Sequence, residues 1–329
     1  MEKTLAFQEI KELIRGAVSI TQTPDGICMQ RFTGEQLHVY DNNKDFQTKA
    51  RATSGMTLDF ITDAARIVMK YKIGPGSSRV FSNIDVTVNG KLAAFHCVPD
   101  FNTEPESVLD FALDGKENHV RIYLPCLTQL VMQSLTFHDA AVLKPVRREK
   151  IMLAYGDSIT QGYDAQHPMG TYAMLVADAF HADLYNKAIG GDRFCTALTE
   201  PKDDFDPTFI TVAYGTNDWN CATLEAFQSN TVGFFRNLAA NYPDKPIFVI
   251  LPIWRKDKDR ETLCGTFESA RNFIRKTAEV YPGVHIIDGL ELMAHDDALT
   301  SDGYLHPNDE GFTQMGRSLI EKIAPVLNQ

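Results

Sequence analysis

The sequence predicts an antiparallel β-sandwich followed by a parallel α/β sheet. Three observations carry that expectation. Apolar residues alternate with period two from about Gly16 to Val146, a charged and proline-containing stretch interrupts the pattern at 143–150, and apolar strand-like runs then alternate with helix-length segments. At about 100–200 residues per domain, the 329 residues suggest two domains, 1–147 and 148–329.

The elements follow in order. Leu5, Ile10, Leu13 and Ile14 have the spacing of a short leading amphipathic helix. Met56, Leu58 and Phe60 alternate with Thr57 and Asp59, and Ile84, Val86 and Val88 with Asp85, Thr87 and Asn89, as half-buried strands require. Asn89-Gly90 is a strong hairpin signal, because the favoured two-residue turn needs positive φ at both central positions. Asp114-Gly115 repeats it, between Leu109, Phe111, Leu113 and Val120, Ile122, Leu124, so a second hairpin is expected there. Short strands punctuated in this way read as a sandwich.

Beyond Leu143–Lys150 the runs Ile151–Tyr155, Ala182–Tyr185, Phe209–Tyr214, Ile247–Leu251 and Val284–Ile287 alternate with helical segments near 170–180, 223–240, 264–280 and 311–327. Strands apolar on both faces and separated by helices form a parallel sheet between helical layers. Ligands bind such sheets at the carboxyl ends of the strands. The polar residues just after each strand are therefore where chemistry is sought.

Composition narrows the function. Forty-three acidic side chains against 32 basic ones give a formal charge of −11, a poor match to nucleic acid or an anionic membrane. Pro246–Trp254, among the most apolar runs, falls far short of the ~20 residues that span a bilayer. The six cysteines are scattered, with no zinc-ligand spacing, and read as free thiols in a reducing compartment. Glu2, Lys3, Glu9, Lys11 and Glu12 interrupt any secretory signal, so a cytoplasmic location is expected. Neither metal nor cofactor is expected, and the sequence sets no oligomeric state.

Four segments stand at or near strand ends. Gly156-Asp157-Ser158-Ile159-Thr160 follows the first strand, where Ser158 either presents a hydroxyl to a cleft or merely caps a helix. After the second strand, Asn186 to Asp192 contains Gly190-Gly191, which lets backbone approach a ligand or makes an ordinary turn. Gly215-Thr216-Asn217-Asp218-Trp219 follows the third, with Asn217 either an amide donor or part of an Asx-turn. Ser301 to Asn308 sets His306 in a loop before the last helix. Singly each is ambiguous, but together they converge on one site.

The Gly-Asp-Ser, Gly-x-Asn-Asp and His-Pro elements of these segments resemble the SGNH hydrolases, or GDSL-type esterases, over about 151–329. The resemblance implies a flavodoxin-like five-stranded sheet with helices on both faces, Ser158 as nucleophile, His306 as base, and Gly191 and Asn217 beside the Ser158 N–H as oxyanion donors. Gly191 is the glycine implied because it lies five residues after Asn186, the family spacing. The chemistry asks for the same groups: a serine hydroxyl needs a base, ordinarily an imidazole near pKa ~6.5, and the tetrahedral oxyanion needs donors. The α/β-hydrolase elbow G-x-S-x-G is absent, since Thr160 takes its last position. The family's orienting aspartate usually stands three residues before the histidine, where this chain has Gly303. Either Asp302, four before, reaches His306, or a backbone carbonyl orients the ring and Ser158–His306 acts as a dyad. Asp157 and Asp218 read as loop-holding residues.

A sandwich preceding such a domain resembles bacterial carbohydrate esterases, including acetylxylan-esterase-like enzymes with a jelly-roll-like N-terminal domain, and Arg121-Ile122-Tyr123-Leu124-Pro125 shares in that likeness. It implies removal of acetyl or other short acyl groups from a small-molecule or oligosaccharide ester by a serine acyl-enzyme mechanism. Trp219 and Trp254 are candidates for a sugar-stacking rim or for the core. Hydrolysis of longer acyl chains, as by a lipase, lysophospholipase or thioesterase, and a catalytically weak carbohydrate-binding protein stand as alternatives.

Overall fold

The computed structural model of the chain describes residues 2–76 and 78–328. Two antiparallel sheets face one another in the first part. One has the spatial order Ser19–Thr23, Gly26–Gln30, Thr128–His138, Arg66–Gly76, Glu106–Ala112, with Glu2–Thr4 also paired to Thr128–His138. The other runs Leu143–Pro145, Thr57–Thr62, Asn118–Tyr123, Ser82–Val88, Lys91–Val98, with Ile14–Arg15 on the edge of Thr57–Thr62. Ile67, Met69 and Tyr71 of the first sheet meet Leu58, Phe60, Ile84, Val86, Val120 and Ile122 of the second in one buried core. Each such apolar side chain removed from water contributes about 1.5–3 kcal/mol, and the alternation that buries them is the one the sequence displays. The leading helix, Phe7–Leu13, turns Ile10 and Leu13 into that core.

Asn89 and Gly90 both take positive φ in the turn between Ser82–Val88 and Lys91–Val98, which pair as a hairpin. The hairpin expected at Asp114-Gly115 does not form. Glu106–Ala112 pairs with Arg66–Gly76, whereas Asn118–Tyr123 pairs with Thr57–Thr62 and Ser82–Val88 in the opposite sheet. Asp114 Oδ1 accepts from Lys116 N–H and Asn118 Nδ2, folding the connection into an arch between sheets rather than a ladder within one.

Alternation also gives no hint of two short helices, Gly34–His38 and Lys44–Ala50, capped by Thr33 and Asn43. They sit between strands of the sandwich, yet Phe32, Tyr40 and Ala50 belong to the hydrophobic core of the following sheet.

That sheet is entirely parallel, in the order Ala182–Asn186, Lys150–Gly156, Phe209–Ala213, Ile247–Ile250, Val284–Ile287, a flavodoxin-like 2-1-3-4-5 arrangement. Period two divides its first strand. Leu153 and Tyr155 pack with Phe234, Leu238 and Ile274 of the helices Leu224–Asn241 and Phe267–Ala278 on one face. Met152 and Ala154 pack with Met174, Phe312 and Met315 of Tyr172–Ala179 and Asp309–Leu327 on the other. Sandwich and sheet are riveted by polar contacts. Arg121 bonds Asp178, Tyr123 Oη donates to Asp178 Oδ2 at 3.1 Å, and His167 Nδ1 lies 2.8 Å from Asp85 Oδ1. Among the described residues no helix is long and apolar enough to cross a membrane.

Candidate active site

The first parallel strand ends at Gly156, where a Cβ would stand 2.1 Å from Thr160 Oγ1; a bare Cα lets the next turn close. Asp157 caps the single helical turn Ser158–Gln161, its Oδ1 accepting the Ile159 N–H at 3.0 Å. Burial pushes this carboxyl up to about 7, so Asp157 is a loop-holding group rather than a fixed charge. Asn186, at the end of the neighbouring strand, braces the turn from behind by donating to Thr160 O at 2.8 Å and to Ser54 Oγ at 3.1 Å.

Ser158 Oγ lies 2.9 Å from His306 Nε2. The two arrive from the first strand and from the loop before the last helix. His306 Nδ1 lies 2.7 Å from Asp302 Oδ2. Gly303 takes φ +64, a left-handed bend that absorbs the extra residue between acid and histidine and turns the carboxylate back onto the ring. The other oxygen, Oδ1, accepts from Tyr304, Leu305 and His306 N–H at 2.9, 2.8 and 3.2 Å. Partial burial raises the Asp302 pKa, but the Leu305 N–H and His306 bonds outweigh it and hold the carboxyl below the usual aspartate value. An acceptor of fixed charge therefore faces Nδ1, which leaves Nε2 to receive a proton from Ser158.

The candidate amide donors follow the second and third parallel strands. Gly190 N–H is engaged by Gln161 Oε1 at 2.7 Å, so the next amide, Gly191 N–H, is the candidate for the cleft. Asn217 Nδ2 donates to Asp192 O at 3.0 Å. A carboxamide has two N–H groups; this bond fixes the plane of the amide and leaves the second proton for a ligand. A cavity of about 280 Å³ opens beside these loops, lined among others by Val39, Phe46, Asp192, Arg193, Asp218 and Phe227. Val39 is the C-cap of one unanticipated helix and Phe46 lies on the other.

Several neighbours of the site escape sequence reasoning. The Tyr163 ring lies against His306 with centroids 5.2 Å apart, and the Arg79 guanidinium sits 5.0 Å above Tyr163 while pairing with Asp164 at 2.5 Å. Tyr40 Oη donates to Asp192 Oδ2 at 2.9 Å, and Lys49 Nζ donates to Gly190 O at 2.8 Å. Arg79, Tyr40 and Lys49 approach from the sandwich part of the chain. Nothing in their local spacing marks them, because each acts across more than 80 residues of sequence.

The tryptophans do not form a rim. Trp219 is wholly buried, its Nε1 donating to Gly265 O at 3.0 Å and its ring covered by Phe267 and by the guanidinium groups of Arg255 and Arg260. No face is open for a sugar to stack on. Trp254 is 9% exposed and lies parallel to His295, with centroids 5.9 Å apart. Of the two alternatives the sequence leaves open, the packing role is the one the structure gives both rings.

Comparison with known proteins follows this division. Residues 154–313 match the model of the GDSL-like Lipase/Acylhydrolase family, and residues 13–133 match that of the SsfX3 N-terminal domain. No curated protein matches the chain. Among solved structures, the salicylyl-acyltransferase SsfX3 from a tetracycline biosynthetic pathway is 23% identical with TM-score 0.82, over 99% of this chain and 97% of that one. A putative GDSL-like lipase from Bacteroides ovatus is 18% identical with TM-score 0.80, over 100% and 98%. A family two carbohydrate esterase from Cellvibrio japonicus is 17% identical with TM-score 0.70, over 100% and 98%. At these identities the structural likeness shows the fold, and it spans sandwich and sheet together. The segment that holds all four candidate blocks is therefore similar in sequence to the GDSL-like lipase/acylhydrolase family, and the part before it to the SsfX3 N-terminal domain.

Proposed function

We propose that the protein is a serine esterase that removes acetyl or other short acyl groups from carbohydrates, with domains at 1–147 and 148–329. The observation that carries the reading is the relay Ser158 Oγ to His306 Nε2 at 2.9 Å and His306 Nδ1 to Asp302 Oδ2 at 2.7 Å. Ser158 attacks the ester carbonyl as its proton passes to Nε2, and the imidazolium is held by Asp302. Negative charge on the former carbonyl oxygen is met by the Ser158 and Gly191 N–H groups and by Asn217 Nδ2. His306 then protonates the leaving sugar oxygen, and water deprotonated by His306 releases the acid and restores Ser158. Every proton in this cycle moves through His306. The carbohydrate esterases among the similar structures support the sugar as alcohol, and the six free cysteines support a reducing, cytoplasmic setting.

The test is release of acetate from acetylated oligosaccharides, with 4-nitrophenyl acetate as a simple ester. The wild type is expected to hydrolyse both and Ser158→Ala neither. Equal release by the two proteins would end the reading. The likeness to SsfX3 along both parts of the chain supports a second outcome, interception of the acyl-enzyme by an acceptor hydroxyl in place of water. Adding an alcohol acceptor and measuring ester product against free acid separates transfer from hydrolysis.

A further inference from the structure

We infer that Lys49, from the short helix Lys44–Ala50, is a positioning residue for the oxyanion hole, so that the site is completed by the N-terminal part of the chain. The inference rests on the proposed esterase reading and concerns one peptide group. Gly190 C=O and Gly191 N–H belong to the same amide, which is planar and trans. In a trans amide the two bonds point in opposite directions. Whatever fixes the carbonyl oxygen therefore also fixes where the N–H points.

Lys49 Nζ holds that oxygen at 2.8 Å, and the lysine is 8% exposed. Its ammonium also pairs with Asp45 at 2.6 Å, one turn earlier on the same helix. Around the amide the remaining groups are pinned as well. Gly190 N–H is bonded to Gln161 Oε1 at 2.7 Å, Gln161 Nε2 donates to Cys126 O at 3.1 Å, and Asp192 Oδ2 accepts from Tyr40 Oη at 2.9 Å. The helix that carries Lys49 is itself anchored by Arg31. This buried guanidinium donates to Lys49 O and Ala52 O on one side and to Asn186 O and Ala188 O on the other, at 2.7–2.8 Å.

Two consequences follow for catalysis. Held by a cation, the carbonyl cannot rotate towards the cleft, where it would repel the oxyanion. A cationic donor on the oxygen also withdraws electron density from the amide nitrogen and makes Gly191 N–H a stronger donor, the polarisation expected along hydrogen-bond chains. Both act on the charge that develops in the transition state rather than on bound substrate. The signature is thus a fall in kcat with little change in KM.

The experiment compares Lys49→Arg, Lys49→Gln and Lys49→Met for 4-nitrophenyl acetate hydrolysis, with rates divided by active-site concentration from burst titration. We expect kcat to fall in the order wild type, Arg, Gln, Met, by about tenfold for Met, below the 100–1000-fold typical of deleting an oxyanion donor outright, with KM within twofold. A purely structural lysine would instead lower thermal stability and the titratable fraction while leaving kcat per site unchanged. Should Lys49→Met fail to fold, equal kcat for Arg and Gln is enough to overturn the inference. Ser158→Ala runs alongside: activity surviving there defeats the esterase reading, whereas activity lost there but unaltered in the Lys49 series defeats only the role of Lys49.

Discussion

Asp302→Asn is the substitution that separates a triad from a dyad. Asn keeps an Oδ1 to accept the Tyr304, Leu305 and His306 N–H groups, so the loop retains its shape. It replaces Oδ2, 2.7 Å from His306 Nδ1, with an NH₂ that must donate. The ring is then driven to the tautomer with hydrogen on Nε2, which cannot take the serine proton, and the imidazolium loses its counter-charge. The acid and histidine side chains are 29% and 20% exposed, so the lost attraction lies between the aqueous and protein limits of about 1 and 4 kcal/mol for charges near contact. At 1.36 kcal/mol per decade that is a roughly 5- to 1000-fold fall in kcat. The assay is hydrolysis of 4-nitrophenyl acetate with melting temperature measured in parallel. A kcat within about threefold of wild type, in a protein that melts at the same temperature, would refute the reasoning and restore the alternative of a backbone carbonyl and a Ser158–His306 dyad.

Other expectations follow from the same geometry. Asn217→Ala is expected to lower kcat by about 100- to 1000-fold with circular dichroism unchanged; a loss confined to KM would place the amide on substrate rather than on the oxyanion. Asp218 is pushed up to about 8, Asp157 to about 7 and Asp192 to about 6, each chiefly by burial. In the folded state these carboxyls keep protons that the unfolded chain releases near pH 4, so stability falls as pH rises from there through 6–8, by up to about 1.4 kcal/mol per pH unit for each group still protonated. Asp218→Asn is expected to flatten the alkaline part of that decline in a melting-temperature series, and an unchanged slope would contradict the burial argument. Trp219→Phe is expected to cost about 1–3 kcal/mol in denaturant unfolding through the lost Nε1–Gly265 bond and packing, with KM for an acetylated oligosaccharide unchanged; a raised KM at full stability would return Trp219 to the binding surface.

Legibility in the sequence tracked the range of the interaction. The five parallel strands and the sandwich were readable because period two in Ile84–Val88, or a continuous run such as Phe209–Tyr214, reports burial within one element. Ser158, Asn217 and His306 could be singled out as candidates because each stands at a strand end or loop where the fold collects ligands. Asp114-Gly115 misled because a turn signal states that the chain bends, not whether the next strand joins the same sheet; pairing of Glu106–Ala112 with Arg66–Gly76 decided that from afar. The two helices between 34 and 50 were hidden because the apolar residues in and beside them, Phe32, Tyr40 and Ala50, answer to the core of a sheet more than 100 residues later. Lys49 and Arg79 carry no local signature, since their partners, Gly190 and Asp164, lie in the other part of the chain. Trp219 showed the opposite limit: an aromatic beside a motif suggests a binding rim until packing against Arg255, Arg260 and Phe267 is seen.

The claim on which everything else rests is that His306 activates Ser158. Reaction with an aryl organophosphate, followed by peptide mass spectrometry, tests it directly, because a serine captures phosphorus rapidly only when a base removes its proton. One adduct on the peptide containing Ser158 is expected in the wild type, with labelling of that peptide slowed by orders of magnitude in His306→Ala. An adduct elsewhere, or equal labelling rates in the two proteins, would contradict the account.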